Sequence, residues 1–145
     1  FIDSQHIDLA AQKMITNIDN SVKCWTLHYL INKQEDLHNT SIGKIVLDKN
    51  NNILYCSRNC IPSNKSQQYD LSMHNYYGHI GLFVFDIDYL KNEFMTQNTP
   101  LQLSEDIEWL KIIEQGYKIV SSQVKNYEIG VNTLNDYDYL IRKYY

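Results

Sequence analysis

Hydrophobic and polar residues alternate with two different periods along the first third of the chain. Apolar residues recur at helical spacing behind Asp3 and Ser4, either of which can cap a first turn: Ile7, Ala10, Ala11, Met14, Ile15 and Ile18. The stretch 22–31 is aromatic and β-branched, which is typical of a strand. Residues 44–48 and 53–56 predict a β-hairpin whose Asn-rich tip tolerates positive φ.

The middle of the chain predicts a long loop followed by a buried strand. Residues 57–77 are polar and show neither period, as is typical of a functional or mobile loop, so ligand contacts are expected here first. The apolar run 79–85 predicts a central strand that is covered on both faces.

Two further helices and one strand are predicted after Pro100. The first helix is expected to be capped near Ser104, with Glu105 and Asp106 in its first turn, and to end at Gly116; its inward residues are Ile107, Leu110 and Ile113. Residues 117–120 predict a strand. Thr133 and Asp136 predict a capping-box-like start for the last helix, whose buried stripe is Tyr137, Leu140, Ile141 and Tyr144. Strands that alternate with helices indicate a layered α/β fold, and we expect residues 1–145 to form one compact unit.

Composition narrows the classes of partner. With 145 residues and a net charge of -4, the chain carries no field that would gather nucleic acid or an anionic membrane surface. No apolar run reaches the length of a membrane span, and the start shows no signal sequence. The three cysteines form no CxxC pair, which favours a reducing compartment. We therefore expect a cytoplasmic protein that binds a small molecule or another protein.

Five segments resemble the 3-deoxy-manno-octulosonate cytidylyltransferase family in order and spacing, namely 44–48, 57–62, 79–81, 100–110 and 130–136. The opening residues 1–4 are similar to the segment that follows the family's central acidic motif. The family's Gly- and Arg-containing triphosphate loop does not occur in the sequence. The resemblance therefore implies the C-terminal part of a GT-A-like nucleotidyltransferase fold, a mixed sheet with flanking helices, without its nucleotide-binding part.

That resemblance implies a chemistry and a set of partners. The complete enzyme would use CTP and Mg²⁺ to activate an acidic sugar, 3-deoxy-manno-octulosonate, to its CMP-sugar for lipopolysaccharide synthesis. It would be a homodimer or would pair with a complementary N-terminal chain, and a sheet left exposed by the absent part would favour such association. No catalytic residue is assigned. The substrate-binding residues that the resemblance implies are Lys44, Ser57, Arg58, His79, Gly81, Gln102 and Glu105.

Arg58 is also notable on its own, because the chain has only two arginines against eleven lysines. A guanidinium fork suits a carboxylate or a phosphate. Simpler structural roles exist for four of the predicted site residues. Arg58 could form a surface salt bridge, His79 could be a packed strand-end ring bonded to backbone, and Lys44 could be a solvated charge. Glu105 could serve the helix dipole.

Several positions depart from the family pattern. Phe83 and Phe85 stand where tyrosines are usual, and Gln102 stands where a glutamate is usual. Asn132 occupies the place of the aspartate that faces magnesium, and its amide is a poorer ligand for a hard dication. These changes keep open a second hypothesis, a catalytically inactive nucleotidyltransferase-like domain for binding or assembly. A sialic acid cytidylyltransferase relative is a third, although segments 57–62 and 130–133 look more like the octulosonate branch.

A zinc site is not favoured by the sequence. Cys56, Cys60, His74 and His79 fall in one region, but their spacing lacks the compact ligand pairs of zinc sites.

Overall fold

Five strands form one mixed sheet with helices packed around it. The computed structural model describes residues 3–125, 131 and 134–144. In chain order the elements are α1 (Ser4–Ile15), β1 (Val22–Leu30), β2 (Lys44–Leu47), β3 (Ile53–Ser57), β4 (Tyr77–Phe85), α2 (Ile87–Tyr89), α3 (Pro100–Glu105), α4 (Leu110–Glu114), β5 (Lys118–Gln123) and α5 (Leu134–Tyr144). The sheet order is β3-β2-β4-β1-β5. Only the β1–β5 pair is parallel. The predicted α/β layered fold is confirmed.

The predicted strands and the hairpin are confirmed. β2 and β3 pair antiparallel, and Asn51 at the tip adopts a φ of 63°. Asparagine tolerates this left-handed conformation better than most residues. β4 is the middle strand of the five, as its apolar run predicts. The expectation that both of its faces are covered is wrong at Gly81, which is exposed.

Two main apolar clusters hold the layers together. One joins the sheet to α2 and α4 through Cys24, Ile45, Tyr89, Leu110, Ile112 and Ile119. The other packs α1 on β1 and β4 through Ala10, Leu27, Ile80 and Leu82. The helix α1 is capped by Asp3, whose side chain accepts from the Gln5 N–H. Within this helix only Ala10 is buried, whereas the side chain of Ile15 is 82% exposed. The apolar stripe of α1 is therefore largely unburied in this chain.

The single helix predicted between residues 104 and 116 is wrong. The chain forms α3 and α4 instead, separated where Asp106 takes a left-handed φ of 55°. The Gln102 side chain accepts from the Thr99 N–H and Pro100 occupies the first helical position, so the helix starts before Ser104. Glu105 is consequently the last residue of α3, where a carboxylate gains nothing from the helix dipole. The dipole explanation for Glu105 is therefore wrong.

The last helix is confirmed, but the predicted burial of its apolar stripe is not. Leu140 is buried, whereas Tyr137 is 52% exposed and Ile141 is also exposed. The predicted start at Thr133 and the side chains of Asp136 and Tyr144 lie outside the described residues. No helix in the described part of the chain is both long enough and apolar enough to cross a membrane.

The tip of the β2–β3 hairpin reaches across to the outer edge of β5. The Ser121 N–H donates to the Asn51 carbonyl at 2.9 Å, and Asn52 forms an antiparallel bridge with Val120. The edge of β5 is therefore partly covered by the chain itself. This contact limits the expected exposure of the sheet at that edge.

Candidate functional site

The end of β3 is tied to the end of α3 by the carboxylate of Glu105. Its Oε2 accepts from the Ser57 hydroxyl at 3.0 Å and from the Arg58 N–H at 3.2 Å. Its Oε1 accepts from the Tyr55 hydroxyl at 3.2 Å. Ser57 is buried, so the bond to Glu105 also satisfies a hydroxyl that has little access to water. Three of the predicted site residues, Ser57, Arg58 and Glu105, thus lie together.

The guanidinium of Arg58 is bound by backbone carbonyls. Nη2 donates to the Asp106 carbonyl at 3.0 Å, and Nη1 lies 3.3 Å and 3.4 Å from the carbonyls of Thr40 and Ser41. Within the part of the chain that the structure describes, Arg58 makes no ion pair. The surface salt bridge considered for it is therefore absent there, and its positive charge faces only neutral acceptors.

Lys44 is fully buried at the start of β2. Its Nζ donates to the carbonyls of Asn39 at 2.8 Å and Ile42 at 2.7 Å, and burial lowers the pKa of its ammonium group. The solvated-charge role is therefore wrong. Lys44 is in register with Ser57 on β3 and Gly78 on β4, so it belongs to the same end of the sheet. Its side chain has no exposed surface, and it can influence a ligand only through its neighbours.

His79 lies near Arg58 at this end of the sheet. Its backbone N–H donates to the Gly43 carbonyl at 2.8 Å, and its ring packs between Phe83 and Trp109 with centroid distances of 5.0 Å and 4.9 Å. Burial, together with the positive charge of Arg58 and with His28, lowers the pKa of His79 to about 3. The imidazole is therefore neutral at physiological pH. Its Nε2 bonds to a side chain, the Thr26 hydroxyl, at 3.0 Å rather than to backbone.

Two predicted residues are placed differently from this cluster. Gly81 lies further along β4, and a Cβ added there would meet no atom within 4 Å, so the space beside it is open. Gln102 is used in the cap of α3, where Oε1 accepts from the Thr99 N–H at 3.0 Å and Nε2 donates to Asn98 at 3.2 Å. Asn132 lies outside the described residues.

Among residues 3–125, 131 and 134–144, no group of three or more His, Cys, Asp or Glu residues is arranged to hold a metal ion. Cys24, Cys56 and Cys60 are free and buried. Burial raises the pKa of Cys56 to about 12, which keeps its thiol protonated and unreactive.

Sequence reasoning missed the polar residues inside β1. Thr26 and His28 are buried, and the His28 Nδ1 lies 2.7 Å from the Ser121 hydroxyl of β5. His28 is also the cross-strand partner of His79. A threonine and a histidine within an otherwise apolar strand were the available signal, because a buried polar side chain needs a specific partner.

Comparison with known proteins supports the resemblance seen in the sequence. No protein-family model matches the chain. It is 38% identical over 130 residues to a 3-deoxy-manno-octulosonate cytidylyltransferase of Protochlamydia amoebophila, covering 90% of this chain and 49% of that protein. The enzyme of the same name from Francisella philomiragia is 34% identical over 138 residues, covering 93% of this chain and 54% of the relative.

The fold has a close counterpart among solved structures. The structure of CMP:2-keto-3-deoxy-manno-octonic acid synthetase complexed with CTP matches with a TM-score of 0.80 and 23% sequence identity. The match covers 98% of this chain and 57% of that one. The chain is thus similar in sequence to these two cytidylyltransferases, and it spans about half the length of the relatives it matches.

Proposed function

We propose that this chain forms the acidic-sugar side of a cytidylyltransferase that makes a CMP-sugar from CTP and 3-deoxy-manno-octulosonate for lipopolysaccharide synthesis. The observation that carries this proposal is the convergence of Ser57, Arg58 and Glu105, with His79 nearby, at one end of the sheet. The sequence similarity to enzymes of that name supports it.

The reaction joins the anomeric hydroxyl of the sugar to the α-phosphate of CTP. The new oxygen–phosphorus bond forms as the bond to pyrophosphate breaks, and the proton of the hydroxyl passes to water. Such a displacement depends on how closely the two reactants are aligned. The role we propose for this chain is to fix the sugar, so that its hydroxyl faces the phosphate.

Arg58 is suited to the carboxylate of the sugar. Its present partners are neutral carbonyls at 3.0–3.4 Å, and a carboxylate would offer shorter, charge-assisted bonds in the bidentate geometry that a guanidinium fork prefers. The neutral ring of His79 and the hydrogen-bonded pair of Ser57 and Glu105 would meet hydroxyl groups instead. The carboxylate and the hydroxyls would thus bind on different residues, which fixes the orientation of the sugar.

We further propose the partners and setting that this function requires. CTP would be the second substrate, and Mg²⁺ would be the cofactor of the complete enzyme. A second copy or a complementary chain would cover the exposed apolar residues of α1 and α5, which include Ile7, Ile15, Leu134, Tyr137 and Ile141. The three free thiols support a cytoplasmic location.

Calorimetric titration of the chain with the sugar acid tests this proposal. We expect binding of 3-deoxy-manno-octulosonate that the matching neutral alcohol, with its carboxylate reduced, does not reproduce. Equal affinity for both sugars would contradict a carboxylate site at Arg58. Release of pyrophosphate from CTP should require the remaining half of a relative, added in trans. Turnover by this chain alone would contradict the division of roles.

A further inference from the structure

Thr26 lies at the one irregular point in the pairing of β1 with β4. The Cα partner of Thr26 is Phe83, whereas the partner of Leu27 is Ile80, so β4 carries extra residues between them. Thr26 is fully buried, and its Oγ1 is 2.7 Å from the Leu82 carbonyl and 3.2 Å from the Ile80 carbonyl. The same hydroxyl lies 3.0 Å from the Nε2 of His79.

The number of protons on these atoms fixes the direction of each bond. A threonine hydroxyl has one hydrogen to donate and two lone pairs with which to accept. Two oxygens 2.7 Å apart need a hydrogen between them, and the Leu82 carbonyl can only accept. The single hydrogen of Thr26 therefore points to that carbonyl, and Thr26 must accept from His79.

This arrangement determines which nitrogen of His79 is free. A neutral imidazole carries one N–H, and here it is on Nε2, directed at Thr26. Nδ1 is then a bare acceptor, and it makes no hydrogen bond with any described residue. The lowered pKa of His79 agrees with a ring that carries only one proton.

We propose that Thr26 is a positioning residue that holds His79 as the Nε2–H tautomer, so that Nδ1 accepts a hydrogen bond from a hydroxyl of the bound sugar. This proposal rests on the proposed function for the identity of the sugar. A nitrogen that only accepts hydrogen bonds repels a carboxylate but can accept a hydrogen bond from a hydroxyl. His79 would therefore bind the hydroxylated end of the ligand, and Arg58 would bind the carboxylate.

Nitrogen-15 NMR of the histidine rings tests the tautomer directly in the free chain. His79→Gln identifies the signals among those of the five histidines. We expect a protonated-type shift for Nε2 and an unprotonated-type shift for Nδ1. Thr26→Ser, which keeps the hydroxyl, should preserve this pattern, and Thr26→Val should disturb it. An Nδ1–H tautomer in the unaltered chain would overturn the proposal, whether or not Thr26→Val folds.

Titration with sugar separates this inference from the proposed function. Binding of 3-deoxy-manno-octulosonate should shift the Nδ1 resonance, and Thr26→Val should weaken sugar binding about tenfold. Thr26→Ser should bind as the unaltered chain does. If the sugar binds while Nδ1 does not respond, the role of His79 as acceptor is wrong. If no sugar binds but the Nε2–H tautomer is present, the proposed function fails and the positioning of His79 by Thr26 stands.

Discussion

Lys44 and Arg58 together bind four consecutive backbone carbonyls of one loop. The Nζ of Lys44 takes those of Asn39 and Ile42, and Nη1 of Arg58 takes those of Thr40 and Ser41. Two cations therefore hold the same loop. Because Lys44 is enclosed and Arg58 is partly exposed, the first serves as the fixed anchor and the second is the one a ligand can reach.

Replacing the anchor should loosen the loop. Lys44→Met keeps the length of the side chain but removes both charge-assisted bonds, and it also relieves the cost of burying an ammonium group. We expect the bonds to outweigh that relief and the free energy of unfolding to fall by about 1–2 kcal/mol in urea denaturation. Lys49→Met at the exposed hairpin tip is the control and should change little. A more stable Lys44→Met variant would show that desolvation dominates.

Substitution of Arg58 should affect the acidic sugar selectively. Loss of a charge-assisted bond of about 1.5–3 kcal/mol should raise the sugar dissociation constant roughly ten- to a hundredfold in Arg58→Ala. Arg58→Lys keeps the charge without the fork and should recover only part of the affinity. Arg142→Ala removes the other arginine, which is exposed on α5, and is the matched control for calorimetric titration. Similar losses in both alanine variants would argue against a specific role.

Removing the charge of Glu105 should weaken the contact between β3 and α3. In Glu105→Gln one carboxylate oxygen becomes an NH₂ donor, so the donors of Ser57, Arg58 and Tyr55 compete for a single acceptor. We expect thermal unfolding to show a loss of about 1–3 kcal/mol, because the Ser57 hydroxyl is buried. Glu108→Gln, at an exposed site just beyond α3, is the comparison. Equal stability of the two variants would mean that Glu105 does not hold these elements.

Acid should destabilise the fold by protonating its buried histidines. Burial lowers the pKa of His28 from 6.5 to about 4, so the unfolded chain binds a proton in this range and the folded chain does not. The contribution of His28 to the free energy of unfolding is therefore fully present above about pH 6.5, and it is lost as the pH falls toward 4. His79 acts in the same direction, since its pKa is lowered to about 3.

Urea denaturation between pH 7 and pH 5 measures this effect. His28→Gln should reduce the slope of stability against pH, whatever its effect on the stability at pH 7. His74→Gln, in the exposed part of the long loop, should leave the slope nearly unchanged. An unchanged slope in His28→Gln would exclude His28 as the source.

Local sequence patterns predicted the strands well, because the hydrophobic pattern within each strand is enough to identify it. The run 79–85 became the middle strand, and the Asn-rich tip of the hairpin took the positive φ expected there. The prediction of one helix around Ser104 failed because the helix starts earlier, at Pro100, and the left-handed Asp106 ends it within a segment whose apolar period continues. Helical period alone does not report such a break.

The candidate site was likewise predicted only in part. The resemblance selected Ser57, Arg58, His79 and Glu105. Hydrogen bonds join Ser57, Arg58 and Glu105, and His79 lies near Arg58. The resemblance could not show that Lys44 is enclosed, since a lysine at a strand start is usually solvated. Nor could it indicate Thr26, whose importance depends on an irregular strand pairing that brings two carbonyls and an imidazole to one hydroxyl.

The contact of the hairpin tip with β5 joins residues that are far apart in the sequence. Forming the bond between Asn51 and Ser121 closes a long loop of chain, which costs conformational entropy. No neighbouring contact offsets this cost until the strands between them have paired. The hairpin can form early from local contacts alone, but its tip can dock only after β4 and β1 have brought β5 into place. We therefore expect docking of the tip to be the last step in forming the sheet. The rate at which the Ser121 amide becomes protected from hydrogen exchange should report this step.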